Sequence, residues 1–228
     1  MIILARRKKK RVISVKKIIA VLLLLACLIG ITYYLLTMPI KNIYIKNNKI
    51  VNDNEIIKLA NLEEYPSFLL TKKSDLIKKI KKNKYIEDVK ITKSFGNIIT
   101  INVKEYESIA LTKNDEIILS NGMTLDNTYE LSDIPILINS IDDEKVYKNF
   151  AKKFEKINKN ILRQISEIEY SPVEVDAERF LLYMNDTNHV YITLTKIKKL
   201  NKYNQIKDKI EGRTGTIYLD AGNYIELR

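Results

Sequence analysis

Catalysis by a nucleophile or a metal requires several reactive side chains at one place, and this chain offers few. His189 is the only histidine and Cys27 the only cysteine among 228 residues. Any histidine-paired nucleophile would therefore have to use His189, and a multi-histidine metal site cannot form. Cys27 sits inside an uncharged run, which leaves no thiol for an external sortase-like transfer. Ser14 and Lys17 have the spacing of a Ser-x-x-Lys dyad, but they stand in a cationic tail and read as a chance match. Glu167 and Glu169 are two apart, so a strand puts both on one face as solvated charges with no acid–base partner. Asn185-Asp186-Thr187 is a glycosylation sequon that a polar turn explains, with His189 beside it as a turn or strand-edge residue. The inventory predicts no catalytic residue, no metal and no cofactor: the chain is expected not to be an enzyme.

Ile18–Met38 constrains everything around it. The run IIAVLLLLACLIGITYYLLTM lies in a stretch with no charge between Lys17 and Lys41. At roughly 1.5 Å per residue such a helix is about 30 Å long, the thickness of a bilayer core. Tyr33 and Tyr34 suit the far interface, and Pro39 ends the helix. A cleavable signal peptide would be shorter and followed by a small-x-small site. Leu24-Leu25-Ala26-Cys27 resembles a lipobox, in which Cys27 would be acylated, yet the apolar run continues past the cysteine. The expectation is a transmembrane helix over 18–38.

The net charge of +11 suggests nucleic acid until it is located. Eight cations and no acid occupy residues 1–17, leaving 31 basic against 28 acidic residues beyond them. Cations beside a span orient it with its N-terminus in the cytoplasm. The expected layout is a cytoplasmic tail at 1–17, a single-pass cell-membrane helix and an extracytoplasmic remainder, with no nucleic-acid partner. Without a second cysteine, that remainder must be held by its apolar core. The lysine faces at 78–84 and 196–202 read as solvated helix surfaces, with attraction to anionic envelope polymers as the alternative.

Beyond Pro39, residues 40–45 read as a strand, and Asn52 with Glu55 as a helix start. A second helix is expected from about Lys72 to Asn83, with Leu76, Ile77 and Ile80 inward. Val89 and Ile91, then Ile99, Ile101 and Val103, alternate with polar residues around Gly96-Asn97, giving a hairpin. The order is β-α-α-β-β. With the strand and turn IYIKNNKIVNDNEI, the Leu-rich loop YPSFLL and the run NKYIEDVKITKSFGNIITINVKEYESIA, it resembles a POTRA domain of the FtsQ type. Val89, Ile91, Ile99, Ile101, Val103 and Glu105 occupy the places of the family phrase. The chain thus resembles the FtsQ/DivIB family of bacterial cell division proteins, with the POTRA domain at 39–106.

Residues 107–228 are expected to form the family's second, β domain. Hairpin strands span 109–125 with a turn at Asn121-Gly122, and Ile134–Leu137 resembles the family's L-P-x-L stretch. Asp142 or Asp143 caps a helix with the stripe Val146, Phe150, Phe154, Ile157 and Ile161. Strands follow at 165–170, 180–184 and 190–194, then a basic helix from about Lys196 to Ile210, and two strands around Ala221-Gly222-Asn223. The fold class is α+β: one transmembrane helix, a POTRA domain and a mixed antiparallel-sheet domain with two helices.

The final run Tyr224-Ile225-Glu226-Leu227-Arg228 is expected at a sheet edge, with neither Pro nor Lys after Lys209 to blunt it. Similar proteins add a partner's strand there, so the resemblance implies a partner-binding set of Tyr218, Tyr224, Ile225, Glu226 and Leu227. The alternative is that the edge is simply the end of the fold, or is covered by residues 196–210. The implied partners are single-span division proteins of the DivIC/FtsB and FtsL kind, and the implied function is a scaffold for septal wall synthesis at the division septum. A membrane-anchored envelope enzyme or a POTRA-type chaperone for exported chains are the competing readings.

Overall fold

The structure is a computed structural model describing residues 14–228. Most of the basic tail at 1–17, and the sidedness expected from its charge, lies outside the described residues. Helix α1 (Val15–Thr37) buries none of its side chains. Its most apolar window has a mean hydropathy of 2.6, and it is the one helix among the described residues long and apolar enough to cross a membrane. Thr32 and Thr37 turn their hydroxyls back to the carbonyls of Leu28 and Tyr33, at 2.8 and 3.0 Å. Neither hydroxyl is left unpaired in an apolar surround. Lys16 and Lys17 join the first turn, so the helix starts three residues before Ile18.

The chain divides into two compact units. One holds α1 with residues 38–48, 52–82 and 88–103; the other holds 49–51, 83–87 and 104–228. In the first, β1 (Asn42–Lys46) leads to α2 (Asp53–Leu59). Asn52 caps α2, its side-chain oxygen accepting from the Glu55 amide at 2.8 Å, which satisfies one of the free donors of the first turn. Helix α3 (Lys73–Ile80) buries Leu76 and Ile80. It ends before the expected Asn83, whose side-chain oxygen instead accepts from the Tyr85 amide and shapes the entry to the next strand. Strands β2 (Ile86–Ser94) and β3 (Ile98–Glu105) complete a sheet of order β1-β3-β2, with β1 parallel to β3. Ile99, Ile101 and Val103 are buried on the central strand, as alternation requires. Gly96 and Asn97 both have positive φ, 84° and 59°, the conformation of tight hairpin turns.

Glu105 ends β3 and belongs to the second unit, as do residues 49–51. Its buried carboxylate accepts three backbone amides, from Lys49 (3.0 Å), Ile50 (2.9 Å) and Val51 (2.9 Å). Charge-assisted bonds of this kind are stronger than neutral ones, and here they fix the loop.

The second unit carries a nine-stranded mixed sheet. Its strands are β4 (Ser108–Thr112), β5 (Glu116–Leu119), β6 (Thr124–Asp126), β7 (Ile136–Leu137), β8 (Ile165–Tyr170), β9 (Arg179–Met184), β10 (His189–Thr193), β11 (Gly215–Tyr218) and β12 (Tyr224–Leu227). The order is β12-β11-β10-β9-β8-β7-β4-β5-β6. Helix α4 (Glu144–Phe154) is capped by Asp143, which accepts from Lys145 and Val146 at 2.8 and 3.0 Å. Its Phe150 and Phe154 pack on Phe180 of β9, with ring centroids 5.2 and 5.9 Å away.

The helices of this unit depart from the sequence pattern at two places. Ile157 and Ile161 are buried, but they lie beyond α4, and Ile161 sits on the separate turn α5 (Lys159–Leu162). The basic helix is in fact two pieces: a 3-10 helix, Leu194–Lys202, then α6 (Tyr203–Lys209). Leu194, Ile197, Leu200 and Tyr203 are the buried positions. Their three-residue spacing matches the three residues per turn of a 3-10 helix, which lines them up on the sheet.

Candidate functional site

β12 is the outer strand of the large sheet and pairs antiparallel with β11: Tyr224 faces Tyr218, Ile225 faces Ile217, and Glu226 faces Thr216. The amide of Arg228 donates to the carbonyl of Thr214 at 2.9 Å. In an antiparallel ladder, bonded and non-bonded pairs alternate. Counting back, the backbone groups of Glu226 and Tyr224 face β11, and those of Ile225 and Leu227 point outward along the open edge.

Cross-strand register aligns side chains from four strands on one face. Leu181, Tyr191, Tyr218 and Tyr224 form one row across β9, β10, β11 and β12; Tyr183, His189, Thr216 and Glu226 form the next. The rings in the first row stack: Tyr191 on Tyr218 at 5.3 Å and Tyr218 on Tyr224 at 4.4 Å, the latter 10° from parallel. The Arg179 guanidinium lies 3.8 Å from the centre of the Tyr191 ring, a cation–π contact that extends the stack inward. Tyr218 donates to the Glu226 carboxylate at 3.1 Å. That bond, ahead of the smaller effect of burial, holds the Tyr218 phenol above its usual range. Tyr224 is the exposed end of the row, and Leu227 is exposed on the opposite face, where Ile225 packs on the core.

The turn before β12 is clamped. Arg179 Nε donates to Asp220 Oδ2 at 2.7 Å, with both side chains mostly covered. Burial, the largest single influence, would raise the Asp220 carboxyl, but the Arg179 bond and charge together with backbone amides hold the group below the usual carboxylate range. Lys196 Nζ donates to the Asp220 carbonyl, and Lys199 Nζ to the side-chain oxygen of Asn223 at 3.0 Å. These two lysines are half-buried anchors, not the solvated face their spacing suggests. At the other end, Gly215 donates to the buried side chain of Asn188 at 2.9 Å. Asn188 meets the hydroxyl of Tyr203, which donates to Asp186 at 2.7 Å. Asp186 in turn pairs with Lys207 at 2.9 Å. The sequon thus belongs to a network joining the β9–β10 turn to α6 and β11.

The five expected residues therefore share one strand pair at the sheet edge. Arg179, Tyr191, Lys196, Lys199, Gly215 and Asp220 support them and carry no sequence mark of their own. Only the parity of the tyrosines on successive strands hints at the stack.

His189, Glu167 and Glu169 lie in the same two cross-strand rows. His189 contacts the edge of the Tyr183 ring at 5.0 Å and Arg228 Nη2 at 2.8 Å. Burial first, then the Arg228 charge, lowers its pKa. Glu169 accepts from the Tyr183 hydroxyl at 2.7 Å, and this bond leads burial in pushing that phenol up to about 12. Glu107 is bound by Lys49 and Lys159 at 3.0 and 2.5 Å. Glu169 and Glu107 thus each have a structural partner. Among the described residues no group of three or more His, Cys, Asp or Glu side chains could hold a metal.

Residues 38–106 match the family model described as the POTRA domain, FtsQ-type. The chain is similar to cell division protein DivIB of Bacillus subtilis (strain 168), 32% identical over 115 residues, which cover 48% of this chain and 42% of that protein. It is 34% identical over 112 residues to DivIB of Bacillus anthracis, covering 47% of this chain and 42% of that protein. The chain thus matches less than half the length of these curated relatives. Among solved structures it is similar to the major extracytoplasmic domain of the trans isomer of DivIB from Geobacillus stearothermophilus. That likeness has a TM-score of 0.39 and 23% identity, covering 47% of this chain and 96% of that one. Residues 38–106 thus carry the FtsQ-type POTRA match, and over nearly half of its length the chain is similar to the cell division proteins DivIB.

Proposed function

We propose that this is a bitopic scaffold of the division septum that acts by binding other proteins. In this reading residues 1–17 face the cytoplasm, 18–38 cross the membrane, and a POTRA domain (39–106) and a β domain (107–228) lie outside. The β domain binds DivIC/FtsB-like and FtsL-like single-span proteins and so recruits or steadies septal wall synthesis. The observation that carries the reading is the open β12 edge, with the outward backbone groups of Ile225 and Leu227 beside exposed Tyr224 and Leu227. An added strand gains affinity from backbone bonds and selectivity from alternate side chains. Aromatic anchors at such contacts often contribute about 2 kcal/mol or more.

The test is a pull-down from membranes with Tyr224→Ala, or with residues 224–228 removed, alongside circular dichroism. Loss of the DivIC-like partner from a folded variant supports the edge as the site. Full recovery by a folded, truncated protein places the site elsewhere.

A further inference from the structure

We propose that two loops of the first unit form an apolar foot seated in the outer interface of the bilayer: residues 66–70 and the β2–β3 turn at 95–97. Leu69, Leu70 and Phe95 enter the headgroup layer. The inference rests on α1 being a membrane span, and it is independent of the partner edge on β12.

Both loops are tied to the end of α1. The Ser67 hydroxyl donates to the Leu36 carbonyl, and the Phe68 amide to that of Met38 at 2.9 Å. Ile40 donates back to Pro66 at 3.0 Å. From the turn, the Asn97 side chain donates to the Pro39 carbonyl at 2.9 Å, and the Lys41 amide to Asn97 at 2.9 Å. The loops are also tied to each other: Lys93 Nζ donates to the Phe68 carbonyl and lies 4.7 Å from the centre of its ring. Five backbone-linked contacts therefore hold both loops at the level where α1 leaves the hydrocarbon. Tyr33 and Tyr34, exposed near that end of the helix, suit the same depth.

Three side chains of these loops turn away from the fold. Leu69 is 52% exposed, Leu70 64% and Phe95 103%. A single exposed apolar residue is ordinary, whereas a cluster marks a contact surface. Here the cluster is continuous with the span itself, so the bilayer is the occupant. Exposed Lys41, Lys72 and Lys73 flank it, and such cations favour lipid phosphates while their stems lie along apolar surface. Glu63 and Glu64, exposed just before Tyr65, mark the polar border of this loop. Interfacial side chains of this kind sit about 5–10 Å into the headgroup boundary.

The test uses the full chain in phosphatidylcholine–phosphatidylglycerol vesicles, with Cys27→Ser and one nitroxide attached through Leu70→Cys or Phe95→Cys. Reference labels are placed through Leu25→Cys in α1 and Lys152→Cys on α4. Collision with oxygen relative to a water-soluble nickel chelate reports depth. The foot requires labels at 70 and 95 to show a severalfold higher ratio than label 152, and a lower one than label 25. Labels at 70 and 95 that match 152, while 25 is lipid-buried, overturn the foot and leave the span intact. A water-accessible label 25 removes the span and the foot with it. Spin–spin broadening at 70 with nickel protection reveals a second copy on this face, which also overturns the assignment.

Discussion

Gly215 lies so close under Glu226 that a Cβ built on it would stand 2.3 Å from the Glu226 carbonyl oxygen and 3.1 Å from Leu227 Cα. Backbone atoms cannot yield as a flexible side chain would, so β12 can occupy its place only because residue 215 has no side chain. Gly215→Ala is expected to displace the edge strand while the larger core survives. Hydrogen exchange should speed up at Thr216 and Glu226, whose backbone groups pair across β11 and β12, with little change at Ile192, and partner recovery should fall as is expected for Tyr224→Ala. Unaltered exchange at Thr216 would show that the strand pair accommodates the methyl.

The POTRA-like sheet depends on its central strand. Ile101 is fully buried on β3 between two neighbouring strands. Ile101→Ala should cost about 2–5 kcal/mol in urea unfolding, because the neighbours fill such a cavity only in part. Adding reductant should leave the midpoint unchanged, since Cys27 lies on α1 and no disulfide is present to reduce.

Acid should loosen the loop at Glu107. Burial acts to raise this carboxyl, but the bonds from Lys159 and Lys49 outweigh it and lower its pKa in the fold. A carboxylate lowered on folding contributes stability that is whole above its unfolded pKa and is lost as pH falls through the folded value. Stability measured against pH should therefore decline below the ordinary carboxylate range, with a shallower decline in Glu107→Gln. Equal slopes in the two proteins would remove Glu107 as a source.

Alkali should act on Tyr183. Its phenol is pushed up to about 12 by the bond to Glu169 and by burial. A phenol raised on folding adds stability below its unfolded value, about 10, and that contribution disappears as pH rises toward about 12. Absorbance titration of Tyr183→Phe should lose one late-ionising tyrosine, and its stability should fall less steeply over that interval.

Local rules made much of this fold legible. The Asn52 cap, the alternation of Ile99, Ile101 and Val103, the stripe Val146–Phe150–Phe154 and the glycine turns each arise within a few residues. What escaped is set by distant register or by unusual helical pitch. The two-residue strand β7, bonded to β4 and β8, is too short to show a period. The 3-10 helix looked like an ordinary basic helix because both place apolar residues about three apart. At the candidate site, the terminal strand was readable as an edge, but its tyrosine stack needed the parallel alignment of Tyr191 with Tyr218. The Arg179–Asp220 clamp needed the same alignment, because it joins residues 41 apart in sequence.

The parallel pairing of β10 with β11 also sets an order of events. Parallel neighbours cannot be joined by a tight hairpin, and here the chain must pass through residues 194–214, laying down the 3-10 helix and α6, before Gly215 meets Asn188. Pairings between residues distant in sequence form late, because closing the intervening loop costs entropy first. The β11–β12 hairpin thus has nothing to align it until the rest of the sheet and its covering helices are in place. A half-folded chain carries the same residues but no aligned edge. In a cell that exports this segment before it folds, the edge would serve as a certificate of completion, readable only on molecules that had finished folding.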